Sequence, residues 1–274
     1  MLFKSRVLRS YLRSLAHWVW TEQDAAFHFG LKLQEETITE LLLLRIAREC
    51  VDWPLKVRMF NKFQEGGSSK RKIIGNGADW EWYFATPACN IGFRVQAKVL
   101  HCKTTREKRN LSRGIYGGLK SDGKQADELI KSASRDHYNA IFIFYNHPWI
   151  SNRDLFRPFH SPYSTSPGDW GCSVAPAKSV LEARDNKLST LIPHMIPWDR
   201  FFGFGRRCRA QDAFRDLGVE QEILLDTPRP EWLSMIDQSG QEGEVDGESD
   251  INRYLTARGL AGVAYFELLD DFED

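Results

Sequence analysis

Asp79 and Glu81 stand two residues apart in the run Gly-Ala-Asp-Trp-Glu-Trp (77–82), and Gln96 and Lys98 stand two apart in Val-Gln-Ala-Lys (95–98). Side chains on a β-strand alternate between its faces, so each pair shares one face. Trp80 and Trp82 then point to the face opposite Asp79, where they pack beneath a sheet, and Ala97 turns away from Gln96 and Lys98. If the two segments pair as a hairpin, a carboxylate, an amide oxygen and an ammonium meet at one spot. Metal-assisted hydrolysis of a phosphodiester requires that combination: anionic and neutral oxygens for a hard cation, and a positive group for the charge that develops on phosphorus-bound oxygen.

Positioning these groups takes several elements. Glu35 to Cys50 predicts a helix with an apolar stripe through Ile38, Leu41, Leu42 and Ile46 and with Thr37 or Thr39 as its cap. Val57 to Phe63 alternates as a strand, and Glu65 to Ser69 predicts a turn. Asp79 to Phe84 and Phe93 to Leu100 are the next two strands, separated by a loop with Pro87 and Asn90. A helix over Lys124 to Ser134 leads to Ala140 to Tyr145, a continuous apolar run suited to a strand covered on both faces. Ahead of these, Val7, Leu8, Tyr11, Leu12, Leu15 and Val19 recur at helical spacing. They favour a packed first helix over a transit peptide, although Lys4, Arg6, Arg9 and Arg13 precede the first acid, Glu22.

The order helix, three strands, helix, strand, together with Asp79, Gln96 and Lys98, resembles the PD-(D/E)XK nuclease superfamily. Gln96-Ala97-Lys98 resembles its Mrr-like variant, in which glutamine replaces the second acid. Glu35 to Glu40, Gly77 to Trp82, Val95 to Lys98 and Gly171 to Ala175 also resemble the motifs of a bacterial family of unassigned function. The resemblance implies an α/β fold with a restriction-endonuclease-like core over residues 33–150, an N-terminal helix over 1–32 and a C-terminal extension over 151–274 wrapped on the core.

The resemblance also implies roles. Asp79, the amide oxygen of Gln96 and the backbone carbonyl of Ala97 would hold Mg2+ or Mn2+, and Lys98 would stabilise charge and orient or deprotonate the attacking water. Glu36 would hold a second metal or a water beside the first, and Gln125 would lie against the site or the nucleic acid. Glutamine at position 96 removes one negative charge, for which Glu81 would compensate, and Ala78 stands where the superfamily's proline would. The expected activity is a metal-dependent endonuclease on double-stranded DNA, with phage defence as a setting and a homodimer to cut both strands. A nucleic-acid or protein binding module without catalysis, and an RNA-cleaving enzyme, are the alternatives.

The formal charge of the 274-residue chain is zero, so attraction to a polyanion must come from local asymmetry. Lys103, Arg106, Lys108, Arg109 and Arg113 follow the second motif and are expected to line a phosphate channel, with Gly114, Tyr116, Gly117 and Gly118 lending flexibility and an aromatic. The stretch from Glu220 to Asp250 is acidic, with a glycine-containing loop from Ser239. Gly203 to Arg207 resembles a phosphate loop without its lysine and reads as a basic loop; His137, His147, His160 and His194 lack metal-ligand spacing. Five dispersed cysteines without a Cys-x-x-Cys pair argue against disulfides and structural zinc and for a reducing cytoplasm, and no apolar run reaches the roughly 20 residues that span a bilayer. Ala175 to Arg184 predicts a helix, Leu191 to Phe204 a proline-broken packed segment, and Ala261 to Leu268 a strand returning to the sheet.

Overall fold

Strands rich in β-branched and aromatic residues join into one mixed sheet with helices on both faces. The computed structural model describes residues 3–51, 53, 55–61, 78–101, 114–146, 166–202, 208–216, 223–239, 250–268 and 272–273. In chain order these hold β1 (Phe3–Lys4), α1 (Ser5–His28), α2 (Glu35–Glu49), β2 (Leu55–Asn61), β3 (Trp80–Ala85), β4 (Asn90–His101), β5 (Ile115–Tyr116), α3 (Lys124–Arg135) and β6 (Asn139–Tyr145). There follow β7 (Cys172–Pro176), α4 (Ala177–Ala183), α5 (Leu188–Leu191), β8 (Ile196–Pro197), α6 (Trp198–Phe201), α7 (Arg209–Asp216), α8 (Trp232–Ser239), α9 (Asp250–Arg258), β9 (Gly262–Leu268) and β10 (Phe272–Glu273).

The sheet runs β2-β9-β3-β4-β6-β7-β8, with β5 on the far end of β4. β3 and β4 form the expected antiparallel hairpin. From β4 the chain crosses through α3 to β6, which lies parallel to β4. One face is covered by α1, α2, α6 and α7 through Leu12, Leu15, Leu42, Ile46 and Phe201, and it buries Trp80 and Trp82 as expected. The other face is covered by α3, α4, α8 and α9 through Leu129, Val180, Trp232 and Leu255. Cover on both sides is why every residue of β6 is buried.

The expected three-stranded meander is interrupted, because β9 lies between β2 and β3, antiparallel to β2 and parallel to β3. A strand covered on both faces is mostly apolar. β9 (Gly-Val-Ala-Tyr-Phe-Glu-Leu) meets that condition, whereas β2 carries Lys56 and Arg58 and suits the edge. The C-terminal segments thus supply β7, β8 and β9 to the same sheet as the hairpin.

The helical phases also differ from expectation. Leu41 and Val7 are exposed, while Leu43 and Ala16 take their places in the core. Neither threonine caps α2: its N-cap is Gln34, without a side-chain bond. Thr39 sits inside the helix and donates to the Glu35 carbonyl at 2.8 Å. Cys89 and Cys208 form a disulfide, against the sequence expectation. They are 119 residues apart, and only the tertiary fold, which sets Cys208 at the head of α7 beside the β3–β4 turn, brings their Cα atoms to 6.0 Å.

Gly262 lets β9 approach β3. A Cβ there would lie 2.4 Å from the Trp80 ring and 2.7 Å from the Phe60 carbonyl. A buried indole and a strand backbone cannot both yield, so Gly262→Ala is expected to destabilise the fold by about 1–3 kcal/mol, as overpacking does. The check is a urea midpoint, which must fall.

Candidate functional site

β4 outlasts its neighbour. Pairing with β3 ends at Trp80 opposite Val95, and one further bond runs from the Asp79 N–H to the Val95 carbonyl at 2.9 Å. Higher up, β5 and the Gly117 N–H, 3.3 Å from the Val99 carbonyl, take over the same edge. Ala97 falls in the gap between. Its N–H donates to Oδ2 of Asp79 at 3.0 Å, so a side chain substitutes for the missing strand partner. The Ala97 carbonyl faces the same gap and accepts from Nε2 of Gln96 at 3.2 Å.

The Gln96 amide closes the arrangement. Its Nε2 also donates to Oδ2 of Asp79, and its Oε1 accepts from Nε2 of Gln125 at 2.9 Å. Gln125 lies in the first turn of α3, the crossover between β4 and β6, so the βαβ unit that builds the sheet also sets this contact. The sequence-predicted Asp79, Gln96, Ala97 and Gln125 therefore come together.

Lys98, two residues further along β4, is buried and reaches Oε1 of Glu35 at 3.7 Å. Gly118, with φ at 72°, turns the chain close by: a Cβ there would stand 3.7 Å from the Lys98 ammonium. Glu35 opens α2, which is seated over the sheet by Ile38, Leu42, Leu43 and Ile46 and by a 2.7 Å hydrogen bond between Thr39 and the buried Tyr145 hydroxyl. Glu36, the acid singled out from sequence, is solvent-exposed beside it. Both glutamates still act on Asp79. Burial pushes the Asp79 carboxyl up to about 6; the Lys98 ammonium and the Ala97 N–H pull it down, and Glu36 and Glu35 push it up again.

That balance bears on a cation. Burial raises Asp79 even with Lys98 nearby, and the Asp79 carboxylate and the Ala97 carbonyl converge on the Gln96 amide, which turns its Nε2 toward them and its Oε1 toward Gln125. With the Gln96 amide turned over so that its oxygen faces Asp79, these residues fit Mg2+ or Mn2+, which take oxygen ligands. Among the described residues no three His, Cys, Asp or Glu side chains group as metal ligands.

Glu81 does not join it. It shares Asp79's face of the sheet, but its side chain is fully buried and committed elsewhere. Oε1 accepts from Arg94 at 2.8 and 3.2 Å, and Oε2 accepts from Trp232 at 3.0 Å and Tyr254 at 2.8 Å. Arg94 and Arg258 bind Asp136 in turn. The expected compensation for Gln96 is therefore corrected: α8 and α9 bring polar partners that take up every Glu81 lone pair facing them. Tyr116, expected in a phosphate channel, is also corrected: it is fully buried and donates to Asn146 at 2.7 Å. The basic residues Lys103, Arg106, Lys108, Arg109 and Arg113 lie outside the described residues, as do Glu65 to Ser69, His147, His160, Gly203 to Arg207 and residues 240–249.

A family model described as a family of unknown function, DUF6615, matches residues 8–267. The chain belongs to the DUF6615 family. No curated protein and no solved structure matches it. Among the described residues no helix is long and apolar enough to cross a membrane. The DUF6615 match spans α1 to β9, so hairpin, crossover helix and both covering layers fall within one family unit.

One residue at this DUF6615 site escaped sequence reading. Glu35 touches Lys98, and its signal was helical phase: Glu35, Thr39, Leu42 and Ile46 follow one another at spacings of three to four and share the sheet-facing stripe. The expected acid, Glu36, rested on the resemblance and lies off that stripe.

Proposed function

We propose that this chain is a divalent-cation-dependent nuclease that hydrolyses phosphodiester bonds, with double-stranded DNA as its substrate. The observation that carries the reading is the convergence of the Asp79 carboxylate, the Gln96 amide and the Ala97 carbonyl in the gap at the edge of β4, with Lys98 beside them. When bound, Mg2+ or Mn2+ would polarise a phosphate oxygen and raise the acidity of a water.

The chain's own residues do the rest. Asp79, Gln96 and the Ala97 carbonyl would hold the ion. Lys98 offers its ammonium to the charge that grows on the non-bridging oxygens as water adds to phosphorus and the bond to one sugar oxygen breaks. Glu35, 3.7 Å away, pairs with that buried ammonium and offsets the cost of holding a charge away from water. Glu36, exposed beside Glu35, is placed to attract a further cation. A role in phage defence rests on the resemblance to Mrr-like enzymes, and pairing of two copies on the need to cut both strands; the cytoplasmic expectation rests on the cysteine pattern, and the Cys89–Cys208 bond no longer supports it.

The test incubates supercoiled plasmid and, separately, structured RNA with Mg2+ or Mn2+. Asp79→Ala and Lys98→Ala are each expected to reduce plasmid cutting by about 100-fold or more, the loss usual for a group that stabilises a transition state. Plasmid retained on the protein but never cut would assign a binding module. Loss of RNA alone would assign a ribonuclease.

A further inference from the structure

We infer that Gln125 is a positioning residue that decides which end of the Gln96 amide faces Asp79, and that cation loading turns both amides over together. The inference rests on the reading of Asp79, Gln96 and Ala97 as the cation's donors.

Two amides joined by one hydrogen bond have two matched orientations, related by turning both through 180°. In the orientation present, Nε2 of Gln96 serves Asp79 and the Ala97 carbonyl, and Oε1 of Gln96 takes a hydrogen bond from Gln125. This satisfies the carboxylate with no cation at hand. It strands Oε1 of Gln125, which is buried and finds no hydrogen-bond partner among the described residues. In the inverted orientation, Oε1 of Gln96 faces Asp79 and the Ala97 carbonyl, Nε2 of Gln96 donates to Oε1 of Gln125, and the Gln125 Nε2 takes the buried place that its Oε1 now holds. Three oxygens then confront one another, which is unfavourable unless positive charge sits among them.

The two orientations therefore suit two states of the site. The first keeps Asp79 quiet in the cation-free protein. The second presents the full oxygen set. Gln125 can serve both because an amide is donor at one end and acceptor at the other. Without an acceptor at position 125, the inverted Gln96 would have no partner for its own N–H group. Coupling to a residue behind the ligand is the usual way an outer partner tunes an ion site.

The experiment uses the full chain, titrated with Mg2+ and followed through its glutamine side-chain amide resonances in nitrogen-15 spectra, with Mn2+ affinity measured by calorimetry. Gln96 and Gln125 amide signals are expected to shift together with one midpoint. Gln125→Met should weaken Mn2+ binding by about 10-fold or more, whereas Gln125→Glu, which keeps an acceptor of the same length, should retain it. If Asp79-dependent binding is present but the Gln125 signals stay still, or if Met and Glu variants lose affinity alike, the amide pair is only packing and the inference fails. If wild type binds no cation that Asp79→Asn abolishes, the reading beneath it fails instead.

Discussion

Asp79→Asn is expected to make the cation-free protein more stable above about pH 7 and no different below about pH 4. A carboxyl in an unfolded chain titrates near 3.9, and burial pushes Asp79 up to about 6 in the fold. Below the unfolded value both states are protonated and the group costs nothing. As pH rises through about 6 the folded protein must ionise a group it holds poorly, and stability falls by about 2 to 3 kcal/mol, at about 1.4 kcal/mol for each unit of difference. Asparagine removes that cost while its side-chain oxygen still accepts from Ala97. Melting curves at the two pH values check it, with several degrees expected at the higher one for a chain of this size. Divalent cation should raise the melting temperature of wild type by mass action and leave Asp79→Asn unmoved. A variant less stable than wild type at high pH would mean that Asp79 is a structural acid.

Glu81→Ala should have the opposite character, a loss of about 3 to 5 kcal/mol with no gain at any pH. Glu81 and Arg94 are both fully buried, and the glutamate holds Trp232 and Tyr254 as well. Alanine leaves the Arg94 guanidinium with Asp136 as its remaining carboxylate partner and abandons an indole N–H and a phenol inside the protein. A chemical unfolding midpoint reports the loss, and Glu81→Gln, which keeps one acceptor oxygen, should recover part of it. Two acids two residues apart on one face would then separate by experiment: removing Asp79 stabilises the protein, and removing Glu81 breaks it.

Much of this arrangement was legible in the chain. Alternation placed Trp80 and Trp82 under the sheet and Gln96 and Lys98 on one face, because strand periodicity is a property of the backbone alone. The crossover from β4 through α3 to β6 followed from apolar patterning, and it carried Gln125 to Gln96. The difference between Asp79 and Glu81 was not legible. Both are carboxylates at equivalent strand positions, and what divides them is α8 and α9, more than 140 residues later, which reach Glu81 and not Asp79. The Cys89–Cys208 bond escaped for the same reason.

Local periodicity and residue chemistry by themselves determined the main helices and strands from Glu35 to Tyr145, the face that buries Trp80 and Trp82, and that Asp79, Gln96 and Lys98 would share one neighbourhood if the two strands paired. Only the tertiary structure decided that β9 enters between β2 and β3, that Glu35 reaches Lys98, and that Glu81 is locked in an ion network. Short-range order is written in contacts a few residues apart. The placement of a late strand or helix depends instead on which open edge or face it covers best, and that is a property of the assembled sheet.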